Sequence, residues 1–308
     1  MPAQPVGPGV HAVDTLYVRP QLDASHIVSA GRHAAVVDTG TSASVPHILG
    51  ALSALGHAPE DVRYVLLTHI HLDHAGGAGV LMDALPAATL VVHPRGARHM
   101  ADPTRLIAGS VAVYGEEAFG ALYGEIRPVD ADRIHATTDG ERLMLGDRAL
   151  SFLHTPGHAR HHHCIVDHDG AGIFTGDTFG LSYRVFDVGG QPFIFPTTTP
   201  VHFDPAAAHA SIDRIVATGA QAAYLTHYSR VTDLPRLAAD LHGDLDAFVE
   251  MTLAAGSEAA LEAALLAHLT ARLSAHGYTG PDAERTLWLE LDARLNAQGL
   301  WFWREHRR

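Results

Sequence analysis

Residues 68–74 read Thr-His-Ile-His-Leu-Asp-His, directly after the apolar run Val-Arg-Tyr-Val-Leu-Leu at 62–67 and before Ala-Gly-Gly-Ala-Gly at 75–79. Three imidazoles and a carboxylate within six residues, at the end of a strand apolar enough to be buried, are costly unless something binds them. His69 and His71 alternate as on a strand, whereas Asp73 and His74 fall on the bend that follows, so the group can face two centres. A chain built around this segment needs a fold that gathers polar groups at strand ends.

The rest of the sequence supplies one. Apolar runs bounded by Gly, Pro or Asp predict strands at 25–29, 34–37, 62–67, 89–92, 150–154, 164–166, 172–174 and 222–225. Helical patterns intervene at 45–55, after Ser44, and at 207–217, after Asp204-Pro205. Strands mixed with helices in this way indicate a layered α/β fold. Residues 97–127 read as a mostly helical insertion. From 234 to 308 the strand signal stops and leucines recur at spacings of three and four, as at Leu234, Leu237, Leu241 and Leu245, at Leu261, Leu265 and Leu269, and at Leu287, Leu291 and Leu295. Three further polar residues lie just past apolar strands, where α/β sheets hold ligands: His158 in Thr-Pro-Gly-His, Asp177 in Thr-Gly-Asp and His227 in Leu-Thr-His.

Taken together, the His-x-His-x-Asp-His, Pro-Gly-His, Gly-Asp and strand-end His resemble the metallo-β-lactamase fold superfamily over about residues 10–232. Their order and spacing fit, with 89 residues from His69 to His158, 19 more to Asp177 and 50 more to His227. The resemblance implies a four-layer αβ/βα sandwich over residues 1–233 with a C-terminal helical appendage over 234–308. It also implies a dinuclear centre in which His69, His71 and His158 hold one metal, Asp73, His74 and His227 hold the other, and Asp177 bridges them. Asp38, in the run Ala-Val-Val-Asp-Thr-Gly at 35–40, matches a structural aspartate, and its expected role is backbone hydrogen bonding in a loop.

Such a donor set suits two divalent ions, zinc best, with iron or manganese also accepted. Two ions sharing a water lower its pKa and generate a bridging hydroxide that attacks a carbonyl carbon or a phosphorus, with Asp73 orienting the nucleophile or moving a proton. The expected activity is hydrolysis of an ester, lactone or phosphodi- or triester. The alternative on the same fold is a non-haem iron protein that binds oxygen or acts as a sulfur dioxygenase, often with one iron. The lone Cys164 lies in an apolar strand and is expected to be inert core.

Composition narrows the partners. All 21 basic residues are Arg against 34 acidic ones, a net charge of −13 that would repel a phosphate backbone, so a small-molecule substrate is expected and nucleic acid is not. No run approaches the roughly 18–20 apolar residues of a membrane span, and the short polar start carries no export signal, so the expectation is a cytoplasmic protein. The run Gly-His-Ala-Arg-His-His-His at 157–163 offers Arg160 and His161 to substrate and His162 as a partner of a metal ligand. Phe179, Tyr183 and Phe195 stand in an aromatic stretch that reads equally as a pocket wall or as core. The helical tail either covers the core or makes a homodimer.

Overall fold

The computed structural model describes residues 3–198 and 201–307. The first half of the chain builds a seven-stranded sheet from β1 (Gln4–Gly7), β2 (Val10–Asp14), β3 (Ala24–Ala30), β4 (His33–Val37), β5 (Val62–Leu66), β6 (Thr89–Val92) and β7 (Ile134–Ala136), in that order across the sheet. The first four strands pair antiparallel, and β4 to β7 pair parallel. Parallel neighbours need crossovers. Those here are α1 (Val45–Ala54), the pair α2 (Leu72–Ala75) and α3 (Ala78–Ala84), and the insertion made of α4 (Pro94–Ala101), α5 (Thr104–Tyr114) and α6 (Glu116–Tyr123).

The second sheet has six strands: β8 (Arg142–Leu145), β9 (Arg148–His154), β10 (His163–Asp167), β11 (Gly172–Gly176), β12 (Ala222–Leu225) and β13 (Ser229–Val231). Its one parallel pair, β11 with β12, is bridged by α7 (Pro205–Ala217). The tail forms α8 (Leu234–Ala254), α9 (Glu258–Ala275) and α10 (Asp282–His306).

Side-chain alternation turns these sheets into layers. In β4, Ala35 and Val37 face the other sheet while Ala34 and Val36 face helices, and β6 repeats the pattern with Val91 against Leu90 and Val92. From the second sheet, Leu150, Phe152, Ile165, Phe174 and Tyr224 complete the central core. On its outer face, Ile173, Ala223 and Leu225 share one core with Ile212 of α7, Leu237 and Leu241 of α8, Leu265 and Leu269 of α9, and Leu289 of α10. The result is the expected four-layer αβ/βα sandwich, with the tail helices packed on its second helical face. No described helix is long and apolar enough to cross a membrane.

Several boundaries differ from the sequence reading. The insertion starts at Pro94, not 97, because Pro94 occupies the first helical turn and the His93 side chain accepts a 3.1 Å hydrogen bond from the Arg95 amide. Strands β7 and β8 went unseen because they are short and mix polar with apolar residues. The last helix extends through Trp301 and Trp303, well beyond its leucine repeat. That repeat also faces elsewhere: Leu289, Ala293, Ala297 and Leu300 enter the core, whereas Leu287 is 58% exposed.

Candidate metal centre

The C-terminal ends of β5, β9, β11 and β12 converge on one edge of the sandwich, and each delivers part of a His/Asp cluster. His69 follows β5 in a loop rather than on the strand, His71 is the cap residue of α2, and Asp73 and His74 lie in its first turn. The strand-like alternation expected for 69 and 71 is therefore replaced by a loop entering a short helix, yet the division into two groups holds. His69 Nε2 and His158 Nε2 lie 2.8 and 3.1 Å from His71 Nδ1. On the other side His74 Nε2 and His227 Nε2 lie 3.8 and 3.7 Å from an Asp73 oxygen. Between them sits Asp177, with one oxygen 3.4 Å from His158 Nε2 and the other 3.2 and 3.5 Å from His74 Nε2 and His227 Nε2. Donor atoms about 2.0–2.1 Å from a tetrahedral ion stand roughly 3.3 Å apart, so both groups have the spacing of a metal's ligands.

Two glycines make this convergence possible. Gly176, at φ +46°, precedes Asp177, and a Cβ there would stand 2.5 Å from Thr68 Oγ1 and 2.7 Å from His162 Nε2. Gly157, at φ +138°, precedes His158, and a Cβ there would meet the Ala208 backbone at 2.4 Å.

A surrounding shell fixes which ring nitrogen faces inward. Thr68 Oγ1 donates to Asp38 and so accepts from His69 Nδ1 at 3.2 Å. His74 Nδ1 donates to Asp38 at 2.9 Å, His158 Nδ1 to the Thr197 carbonyl at 3.2 Å, and His227 Nδ1 lies 2.6 Å from Asp23. In each case Nδ1 is held on the outside and Nε2 faces the cluster. His162 lies directly behind Asp177. Its Nε2 accepts the Asp177 amide at 3.3 Å, and its Nδ1 contacts Thr155 and Thr178 hydroxyls at 2.9 and 3.0 Å.

Electrostatics divides the two groups. Burial, reinforced by neighbouring imidazoles, holds His69 and His71 well below the usual histidine pKa, so both are neutral donors. Burial also lowers His158, partly offset by Asp177. Burial opposes charge on His74 and His227 as well, but there the carboxylates win. Asp177, Asp73 and Asp38 carry His74 well above its ordinary value, and Asp23 and Asp177 lift His227 to about 10. Burial would raise Asp177, yet His74, His227 and His158 hold it well below the carboxylate range. A carboxylate so placed attracts positive charge, and a cation can supply it in place of protons. The fit is also local: His74 Nε2 and Asp177 Oδ1 are buried without an aligned hydrogen bond. The residues present therefore fit two metal ions.

A cavity of about 440 Å³ opens onto this cluster, with His71, Asp73, Asp177 and His227 at its floor. Its walls come from the loop carrying Tyr17 and Leu22, from Leu106, Leu122 and Tyr123 of the insertion, and from Leu287, Trp288, Leu291 and Leu295 of α10. Of the residues read as substrate contacts, only Tyr183 lines it. Phe179 and Phe195 are fully buried in the core between the second sheet and the tail, because their stretch folds back on itself through the Leu181–Phe195 bridge. Arg160 is exposed and stands outside the cavity lining. His161 is buried with its ring 5.3 Å from that of His71, so it backs a ligand and does not line the cavity. Cys164 is buried, its thiol pushed up to about 12 by burial. The sequence reading missed Asp23 and Asp292, which carry no local motif, and left the 287–291–295 stripe as the face of a helix that covers the core or dimerises, where it is cavity wall.

A family model described as the metallo-beta-lactamase superfamily matches residues 23–227. The Metallo-beta-lactamase fold-containing protein ST1585 of Sulfurisphaera tokodaii is 26% identical over 203 residues, which cover 63% of this chain and 68% of that protein. Acyl-coenzyme A thioesterase MBLAC2 of Gallus gallus is 29% identical over 184 residues, covering 56% of this chain and 64% of that protein. The crystal structure of ST1585 from Sulfolobus tokodaii superimposes with a TM-score of 0.66 at 20% identity, over 95% of this chain and 98% of that one.

Proposed function

The chain belongs to the metallo-beta-lactamase superfamily, and from that premise we propose that it is a dinuclear metal-dependent hydrolase of acyl esters or thioesters, lactones included. The observation that carries the reading is Asp177, whose two oxygens reach separately toward the two histidine groups. The second group, Asp73, His74 and His227, is complete, which favours two ions over the single iron of the oxygen- or sulfur-directed alternative. Two divalent ions, zinc for this nitrogen-rich set, would supply Lewis acidity and an activated water.

The protein's own residues do the rest. The rings of His69, His158, His74 and His227 are oriented through Thr68, Thr197, Asp38 and Asp23, and burial keeps His69 and His71 neutral. Asp73 is 24% exposed and faces the cavity, placed to hold or pass a proton at a carboxylate oxygen beside a bound acyl group. The largely apolar walls exclude water and favour an acyl or aryl group over a highly charged phosphate. An acyl carbon as the point of attack also agrees with the thioesterase relative. Phosphodi- and triesters rank behind acyl bonds on both counts.

The test is elemental analysis of protein purified without added metal, followed by turnover of thioesters and aryl esters. About two zinc ions per chain and thioester turnover abolished by His71→Ala are expected. About one iron per chain, or two metals with no hydrolysis of any acyl bond, would overturn the reading.

A further inference from the structure

We propose that the cavity contains a built hydrogen-bond acceptor, the Asp292 carboxylate, that selects acyl groups carrying a hydroxyl or amide N–H on the chain. The inference rests on the hydrolase reading above and adds a substrate class to it. Asp292 lies on α10, far from the metal ligands in sequence, and is only 9% exposed, yet it lines the cavity. Tyr183 Oη donates to its Oδ2 at 3.0 Å, and that bond is itself buried. The other oxygen, Oδ1, receives no hydrogen bond among the described residues, and no Arg or His pairs with the carboxylate within 4 Å.

Two arginines line the cavity, Arg19 and Arg294, and among the described residues neither forms an ion pair with Asp292. Arg19 donates to the Leu287 carbonyl at 2.7 Å and sits over Trp288, 5.0 Å from the ring centroid. Tyr183 cannot be the donor that reads a substrate, because its hydroxyl hydrogen is committed to Asp292. Burial pushes the Asp292 carboxyl up to about 7, so above that pH, where the comparison below is made, what faces the occupant is an acceptor held by Tyr183 in a mostly apolar wall. Water can satisfy Oδ1 when the cavity is empty of substrate. A plain acyl chain displaces that water and leaves the oxygen bare, whereas a chain with a hydroxyl or amide N–H replaces it. Leaving a buried acceptor unsatisfied is penalised by roughly 10- to 100-fold in an equilibrium constant, and that is the discrimination expected here.

The experiment compares the octanoyl thioester of N-acetylcysteamine with hydroxyoctanoyl counterparts bearing the hydroxyl at successive positions. The quantity read is the ratio of kcat/KM values, in which a general loss of activity cancels. In parallel, octanoate and the hydroxyoctanoates are titrated against tryptophan fluorescence, since Trp288 lines the cavity. At least one hydroxylated chain should be preferred by roughly tenfold or more in both readouts. Asp292→Leu should bring the ratio to about one. In Asp292→Asn, Tyr183 holds the amide oxygen and turns the NH₂ toward the cavity, so the preference should pass to the matching oxo chain. If Asp292 only ties α10 to the segment around Tyr183, both variants melt earlier while the ratio stays at its wild-type value, and the proposal falls. It also falls if the wild-type protein shows no preference in either readout while hydrolysing both chains. A binding preference without any turnover would instead sink the hydrolase reading and leave the acceptor subsite standing.

Discussion

Asp38 illustrates how much one side chain can organise. Its backbone sits at φ +54°, which aspartate tolerates better than most residues, and its carboxylate accepts from the Thr68 amide, the Thr68 and Thr226 hydroxyls and His74 Nδ1 at 2.8–2.9 Å. Three separate strand ends are thereby tied to one carboxylate, and His74 is aimed by it. Asp38→Asn should weaken metal binding roughly 10- to 100-fold in chelator competition as well as lower Tm, because the orienting charge is lost; unchanged affinity would reduce Asp38 to the loop-bonding role its position in the sequence suggests. His163 makes a different prediction. Burial, aided by His93, holds its pKa down to about 3, from an ordinary 6.5. The unfolded chain therefore binds more protons below pH 6.5, and this residue subtracts stability as pH falls from 6.5 toward 3. His163→Gln should make Tm less steep against pH in that window by about one proton's worth, and an unchanged slope would exclude His163 as a source of acid lability. The donor-rich positions were legible because they cluster within a few residues or end apolar strands. Asp23 and Asp292 were not, since an isolated aspartate acquires meaning only from the side chain that folding brings beside it.

At the scale of elements, α10 was readable as a helix but not in its orientation. A leucine repeat reports an apolar face, and such a face can pack against a core or line a cavity equally well. Here the two faces lie side by side, Leu289 with Ala293 in the core and Leu291 with Leu295 on the cavity. Substitutions should separate them. Leu289→Ala should cost about 2–5 kcal/mol in denaturant unfolding, as buried leucines do. Leu291→Asp should leave the unfolding midpoint within a fraction of that and raise KM for medium-chain thioesters severalfold. The reverse pattern would mean that the faces are exchanged. The aromatic stretch from Phe179 to Phe195 posed the same ambiguity and resolved the opposite way. The Leu181–Phe195 bridge doubles the chain back, and Phe179 and Phe195 end inside the core, so that of the aromatics named there Tyr183 alone lines the cavity, beside Leu181.

For the whole molecule, the layered arrangement followed from alternating strands and the order of helices between them. What the sequence left open was the tail, read as a cover or as a dimer contact. It shares a single core with the second sheet, from Ile173 and Leu225 through Leu241 to Leu269 and Leu300. A chain ending at residue 233 should therefore aggregate on expression instead of yielding an active monomer; a soluble, metal-loaded fragment with a sharp thermal transition would contradict this. The cavity has its own division of labour. Its floor is set by strand-end loops fixed by Asp38, Asp23 and His162, while its walls are lent by the 17–22 loop, the 104–123 helices, α10 and the stretch carrying Leu181, Tyr183 and Thr197, none of which, among the described residues, offers a ligand atom to the cluster. Changes of diet and changes of chemistry are thus written in different stretches of the gene. A lineage under selection for a new nutrient can revise four wall segments while the donors stay frozen, and divergence among descendants of such a chain should pile up in those segments first.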